Sequence, residues 1–553
     1  MRNRLPLLSL KPRQYNQGCS YEYTDMKKTI ALLLALLACT LAMGQQQFSN
    51  PVLWADVPDP DVIRVDSDFY MVTTTMHLMP GGPIMKSRDL VNWTTVGYLF
   101  DRLTDSPKYN MVGGTVYGRG QWATSLKYYN GRFYALFSPN DQPGGETYIL
   151  TAERAEGPWH QVSRLPHFHD ATLFFDDDGR AYVFYATGDM VELTTDLRSV
   201  KPNSHVRLFE RDGEEDNLLE GSRVVKHEGR YYLLMISWPK GRVRREVCYR
   251  ADYIRGPYEK RTVLDTSFGG FGGVGQGTIV DTPDGRWYGM IFQDRGGVGR
   301  VMTLVPCRWE QGWPLLGDSL GRVPEVMDKP VQGYTDGRIA GSDTFDGPTL
   351  GLDWQWNHNP VDTAWSLSER PGWLRLKTSR LSENLFVAPN TISQRLEGPG
   401  CEAAVRMDVS QMREGDVAGL SVFQSDAALL AIEKTVTGWE LVGSRQSVKM
   451  EAKDHRVTGV QREDDMRVPL DSPLVWLRLQ ADFTLGQDLA RLQYSTDGQT
   501  WHTAIDRFKM QFDYRRFFMG TRAAIFNFAT RQVGGFVDVD TFEYSRNNGF
   551  ETK

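Results

Sequence analysis

Five stretches of this chain repeat one pattern, and that repetition limits the fold more than any other feature. They are DPDVIRVDSDFYMVTTT from Asp59, WATSLKYYNGRFYALFS from Trp122, DATLFFDDDGRAYVFYA from Asp170, EGSRVVKHEGRYYLLMIS from Glu220 and QGTIVDTPDGRWYGMIF from Gln276. Each runs from a lead residue through a short apolar segment and a turn to a Tyr and a second apolar segment. The leads stand 11 or 12 residues before Tyr70, Tyr134, Tyr182, Tyr232 and Tyr288, and those tyrosines follow one another at 64, 48, 50 and 56 residues. Such spacing fits one four-stranded propeller blade per repeat. The expected fold is therefore a five-bladed β-propeller. Equivalent positions of its blades converge on the central axis, so Asp59, Asp170 and Glu220 should face one another in a single funnel, with Trp122 and Gln276 beside them.

The turns agree with this reading. Asn130-Gly131, Asp178-Gly179, Glu228-Gly229 and Asp284-Gly285 supply the positive φ of tight hairpins. SRDLVNW at 87–93, AEGPWH at 155–160 and IRGPYE at 254–259 read as outer segments closing blades. Residues 45–330 are assigned to the propeller and 331–341, polar with scattered Gly, to a linker. From Ser342 the pattern changes. WLRLKT (373–378), EAAVRMDV (402–409), AGLSVFQ (418–424), LLAIEK (429–434), WLRLQADF (476–483) and RAAIFNFA (522–529) read as strands, and YSTDGQTW (494–501) as a hairpin. Alternating apolar and polar residues point to antiparallel sheets with one buried face each. Residues 342–548 are thus expected to form a β-sandwich.

Charge and cysteine usage narrow the class. The net charge is −6 and there is no basic block, which argues against nucleic acid as a partner. Fifteen Trp and 23 Tyr are enough to fill β cores and to stack on sugars. No CxxC or HExxH motif offers a zinc site. Residues 1–44 hold upstream sequence and a signal peptide. Met26-Lys27-Lys28 precedes the apolar run Ile30 to Ala38, and Ala42-Met43-Gly44 supplies small residues before Gln45. That run is too short for a transmembrane span in the mature chain. Periplasmic or secreted localisation is expected; lipid attachment at Cys39 is the alternative. Cleavage leaves Cys248, Cys307 and Cys401, an odd and widely spaced set that is no disulfide framework.

At the carboxylate motifs the chain resembles glycoside hydrolase family 43. NPVLWADVPDPDVIRV is similar to the family's opening, whose Asp in the Pro-Asp-Pro step is the general base; that is Asp59. HDATLFFDDDGRAYVF is similar to the segment with a second Asp that orients the groups around it and tunes the acid, here Asp170. LEGSRVVKHEGRYYLL is similar to the segment with the general acid, Glu220, and VGRVMTLVPCRWEQGWPLLG to one whose Arg reaches the pocket floor, Arg300. The C-terminal part, with WNHNP, WSLSERPGWLRL and SQR, resembles the concanavalin-like sandwich of xylosidase and arabinofuranosidase members. Two positions depart from the family pattern. Gln276 replaces a His that in many members helps hold a central calcium through water, and Thr124 follows Trp122-Ala123 where Pro is common.

The chemistry agrees with these residues. Glycoside hydrolysis needs one carboxylic acid to protonate the leaving oxygen and one carboxylate to activate water or attack. Glu220 and Asp59 fit those roles, and Asp170 would raise the acid's pKa by like-charge repulsion. Trp122 is a candidate wall of the sugar subsite. Gln276 is a candidate partner for a sugar hydroxyl, a central ion or a water. Arg300 is expected to pair with Asp170 or to bond sugar hydroxyls, and Trp54 and the Met76-His77-Leu78 turn are further rim candidates.

The resemblance implies an inverting, exo-acting glycosidase removing terminal α-L-arabinofuranose, β-D-xylose or both from plant cell-wall oligosaccharides or polysaccharides. It implies no required cofactor and leaves room for a structural Ca2+ in the propeller channel. The competing reading is a noncatalytic glycan-binding propeller with a lectin-like sandwich.

Overall fold

Alternating residues of each repeat point to opposite faces of a strand, so neither face of a blade can be left unpaired in water. A computed structural model of the chain shows how they are covered. It describes residues 46–550 except 141–144, 216 and 452–454. The expected signal segment, Met26–Gly44 with Cys39, lies outside the described residues.

Five four-stranded antiparallel sheets surround one axis. Their innermost strands are Asp61–Val65, Gln121–Tyr129, Thr172–Phe175, Leu218–His227 and Val274–Asp281, and each pairs with the strand that carries the repeat tyrosine. Between blades the faces pack ring on ring. Phe100 stacks on Phe137 (5.0 Å) and Tyr129 on Phe175 (4.4 Å). Asn130-Gly131 (φ 48° and 77°) and Glu228-Gly229 (φ 48° and 78°) are left-handed at both turn positions, the type I′ geometry that matches strand twist. The only helical segments among the described residues are short 3-10 turns such as Pro107–Asn110.

The sandwich has a seven-stranded and an eight-stranded sheet. Most of its strands coincide with the sequence-predicted runs, among them Leu374–Lys377, Gly400–Asp408, Asp416–Phe423, Leu474–Asp482 and Arg522–Ala529. The eighth strand of the larger sheet was not expected: it is Leu78–Met79 of the propeller, paired with Gln355–Asn357 through Trp356↔Met79 and Asn357↔Leu78. Phe48 onward forms one compact unit. Leu78, Met111 and Tyr117 of the propeller share an apolar cluster with Phe386, Phe423, Phe517 and Met519 of the sandwich, and Val298 and Val301 join the sandwich core. Tyr117 lies flat on Phe517 at 3.9 Å, and its hydroxyl donates to the Phe386 carbonyl at 2.8 Å. His77, a rim candidate by sequence, is fully buried here between Tyr117 and His358, and burial pushes its pKa down to about 3. Trp54 packs under Arg295 and against Gly398. The 331–341 stretch is also tethered, since Ile339 is buried in the blade-one core. Cys248, Cys307 and Cys401 are free and buried.

This interface predicts the behaviour of an isolated propeller. A chain ending near residue 330 would expose Leu78, Tyr117 and Val301, an apolar patch shaped for burial. It should be insoluble or melt at least roughly 10 °C below the whole protein, with activity lost. A soluble truncation with unchanged melting temperature and activity would refute the interface's role.

Candidate active site

The lead residues come together because the first strand of each blade opens irregularly. Register shifts occur at the lead in three blades, spanning Trp122 between Gln121 and Thr124, spanning Gln276 between Val274 and Gly277, and following Glu220 before Arg223. The backbone is left-handed at Asp59 (φ 54°), Asp170 (φ 46°), Gln276 (φ 75°) and Gly221 (φ 69°), just after Glu220. Such a kink re-aims one side chain out of the sheet's alternation. At Gly221 a Cβ would lie 2.6 Å from the Gln276 side-chain Nε2 and would have to take the left-handed backbone that Gly adopts without strain.

Asp59 and Asp170 are buried, while the Glu220 side chain stays 27% exposed, in reach of a ligand. Arg300 donates from Nη1 to both Asp59 oxygens at 3.3 and 3.4 Å, and from Nη2 to the Phe518 carbonyl at 3.2 Å. Arg300 therefore pairs with Asp59 rather than with Asp170, which corrects the expectation drawn from sequence. The Asp59 turn and the sandwich fix its place: Asp56 accepts the Arg300 backbone N–H at 2.8 Å and the Gly520 N–H at 2.9 Å. Asp61, two residues beyond Asp59, does structural work instead. It is fully buried, accepts the Leu126 N–H and pairs with Lys127 at 2.9 Å.

Two residues absent from the sequence reading complete the charge set. His169 Nε2 meets Glu220 Oε2 at 3.1 Å and lies 4.0 Å from Asp170 Oδ2. The charge of Asp170, then the hydrogen bond to Glu220, raises the His169 pKa to about 9, so the ring is cationic at neutral pH. Burial and the Glu220 charge push Asp170 up to about 7, against the opposing pull of His169. Below the acids, Arg223 is buried completely and donates to the carbonyls of Asp59 (3.0 Å), Pro60 (3.2 Å), Thr124 (3.3 Å) and Ser222 (3.0 Å). These oxygens are what a calcium ion at that depth would need. The guanidinium already takes them, so these four carbonyls are not free for the Ca2+ that the resemblance left open. His169, Asp170 and Glu220 offer ligand atoms within 4.8 Å of one another, a spacing that acid-base chemistry and a metal ion would share.

Trp122 and Gln276 border the carboxylates. The Trp122 ring stands 5.9 Å from His169 and 5.6 Å from Phe518, with its Nε1–H held by the Gly118 carbonyl at 3.2 Å. The Gln276 backbone N–H donates to Glu246 Oε2 at 2.6 Å, and burial lifts Glu246 to about 8. Phe518, from the sandwich, lies against Arg300 with the guanidinium 4.5 Å from its ring centre. The sandwich thus sends a loop to the pocket. His169 had a sequence signal, its adjacency to Asp170, and Arg223 lies three residues past Glu220. Phe518 had none, since its partners are more than 200 residues away.

Comparison with known proteins agrees with this arrangement. Residues 48–314 match glycosyl hydrolases family 43, and 342–545 match the beta xylosidase C-terminal concanavalin A-like domain. A beta-xylosidase of Formosa agariphila is 29% identical over 91% of this chain and 90% of its own length. A non-reducing end alpha-L-arabinofuranosidase of Bacteroides ovatus is 29% identical over 72% of this chain and 79% of its own. Among solved structures, a bifunctional protein of Bacteroides eggerthii superposes with a TM-score of 0.82 at 40% identity over 91% of this chain. The chain spans 64% of that protein's length.

The raised pKa of Asp170 carries a signed prediction for stability. Below about pH 4 the carboxyl is protonated in both folded and unfolded chains, so it costs nothing. From there to about pH 7 the unfolded chain releases the proton and the folded one keeps it, so stability falls as pH rises. Asp170→Asn escapes this cost. In thermal melts it should gain on the order of 2 kcal/mol over wild type at pH 8 and nothing at pH 3.5. A variant less stable than wild type at pH 8 would show that Asp170 is not held against its ionisation.

Proposed function

The chain belongs to glycosyl hydrolases family 43, and from that premise we propose an exo-acting glycosidase that removes a terminal pentose, α-L-arabinofuranose or β-D-xylose, from plant cell-wall glycans. The observation that carries this reading is the pair Asp59–Arg300 beside the pair Glu220–His169 in one funnel. A protein that only bound glycans would gain nothing from holding three carboxylates in a confined place, where each costs several kcal/mol of desolvation.

We assign the roles as follows. Asp59, paired with Arg300, takes the proton of a water that attacks the anomeric carbon. Glu220 gives its proton to the leaving oxygen, and its partial exposure lets it reach that oxygen. Asp170 stands beside the acid and its partner, 4.0 Å from His169 Nε2, and helps to fix their arrangement. His169 orients both. Trp122 and Phe518 supply apolar faces for the sugar ring, and Gln276 an amide for its hydroxyls. The reaction needs no cofactor, because protons and water are its only other participants. Attack by water from the side opposite the leaving group inverts the anomeric centre. We further place the protein in the periplasm or outside the cell, on the strength of the Met26–Gly44 segment. A mature chain beginning at Gln45 by N-terminal sequencing is the expected result.

The test is a panel of nitrophenyl pentosides and pentose oligosaccharides, with NMR of the first-formed sugar. Release of an inverted pentose is expected. Tight sugar binding without turnover would favour the glycan-binding alternative. Glu220→Gln should lose about 1,000-fold on natural glycosides and far less on activated leaving groups, which need little acid help. Asp59→Asn should lose activity on both, because water activation fails regardless of the leaving group. Equal loss on both substrate types in Glu220→Gln would remove it from the acid's role, and an Asp59→Asn enzyme above about a tenth of wild-type rate would remove Asp59 from the base's.

A further inference from the structure

We propose that Trp238 and Arg244 form a subsite for the sugar on the leaving side of the scissile bond, an inference that rests on Glu220 being the acid. The argument begins with register. In blade four Glu220 pairs with Ile236, and Leu218 pairs with Trp238. Trp238 therefore sits two residues beyond the acid toward the open end of the strand pair, about 7 Å further out. That is roughly the reach of one sugar ring. The leaving oxygen lies at Glu220 by its role, so the sugar attached to that oxygen extends from Glu220 away from the pocket floor, and blade four's rim is one of its boundaries.

The residues at this rim have the form a sugar requires. Trp238 is 39% exposed, while most large apolar side chains of the blades are buried. Its ring is fixed at one edge, because Nε1–H donates to the Arg242 carbonyl at 2.8 Å. Arg244 lies over the ring at 5.0 Å, which braces the indole and places guanidinium N–H groups beside it. Arg244 also pairs with Asp294 at 2.7 Å, so its charge is matched and the pair suits a neutral sugar rather than an acidic one. The rim is continuous with the catalytic set. Arg244 reaches Phe292 at 5.9 Å, Phe292 lies 5.7 Å from Arg300, and Arg300 holds Asp59. An indole face for the C–H side of a ring, with donors for its hydroxyls, is the usual composition of a site for neutral carbohydrate.

The wall around the terminal pentose, Trp122 with Phe518, is built by blade two and the sandwich. Trp238 with Arg244 is built by blade four, with Asp294 of blade five pairing the arginine. The second wall contacts only substrates that carry a sugar as leaving group. This separates the subsite from catalysis experimentally. A pentosyl fluoride has no leaving-side ring to stack, whereas a pentose disaccharide has one.

The experiment compares kcat/KM for both compounds in wild type, Trp238→Ala and Trp238→Phe, with melting temperatures as a folding control. In Trp238→Ala the ratio of disaccharide to fluoride should fall at least about five-fold, through KM, and Trp238→Phe should restore most of it. An unchanged ratio, whether both values fall together or neither does, would overturn the subsite. A wild type that turns over neither compound would overturn the pentosidase reading and this inference with it.

Discussion

The junction at Asp56 and Arg300 sets the conditions for everything around it. One Asp56 oxygen takes the N–H of Arg300, on the last blade, and the other takes the N–H of Gly520, in the sandwich. The Arg300 side chain then spans from Asp59, on the first blade, to the Phe518 carbonyl. A buried carboxylate needs a counter-charge and fixed donors, or it protonates and stops being a base. Blade one, blade five and the sandwich all contribute to that requirement at a single point. The ring of blades is closed where the base is held, and the sandwich is part of the closure.

The same condition explains the distribution of cations. Three acids face one axis, and the structure answers with Arg300 at Asp59, His169 at Glu220 and Arg223 beneath them. Each cation does a different job. Arg300 reaches both Asp59 oxygens from Nη1 and the Phe518 carbonyl from Nη2, which fixes the base in place. His169 is close to both Asp170 and Glu220, and its raised pKa follows from their charge. Arg223 binds carbonyl oxygens rather than carboxylates, so it fixes the backbone turns that carry Asp59 and Thr124.

Much of this was legible in the sequence, for a physical reason. A blade is a local unit of four strands, so its period survives as a repeat of apolar runs, Gly turns and tyrosines, and the lead residues fall at one register. The six strand runs of the sandwich were legible through alternation. What the sequence hid depends on contacts across long separations. Arg300 was expected to meet Asp170 or sugar hydroxyls, and it is the turn at Asp59, with its left-handed backbone, that brings Asp59 to it instead. Phe518 and the Leu78–Met79 strand are set by docking of one domain on the other, which leaves no periodic trace. The Met76-His77-Leu78 turn was read as pocket rim because it follows the blade-one hairpin. It is instead the seam, where His77 is buried too deeply to carry charge.

The left-handed lead positions show why function was built at this place and not elsewhere on the blades. A non-glycine residue in that conformation costs on the order of 1–3 kcal/mol and persists only if its surroundings over-determine it. Asp59, Asp170 and Gln276 all accept that strain. The surroundings here can do so because each lead is continuous with a strand paired along its length and flanked by stacked rings. A loop could aim a carboxylate at the same point but could not hold it there against its neighbours' repulsion. The propeller contributes rigidity at the ends of its inner strands, and the sandwich contributes the wall of the pocket that five blades leave open. The strain at the leads and the wide interface are thus two parts of one solution: the first aims the acids, and the second keeps them from relaxing.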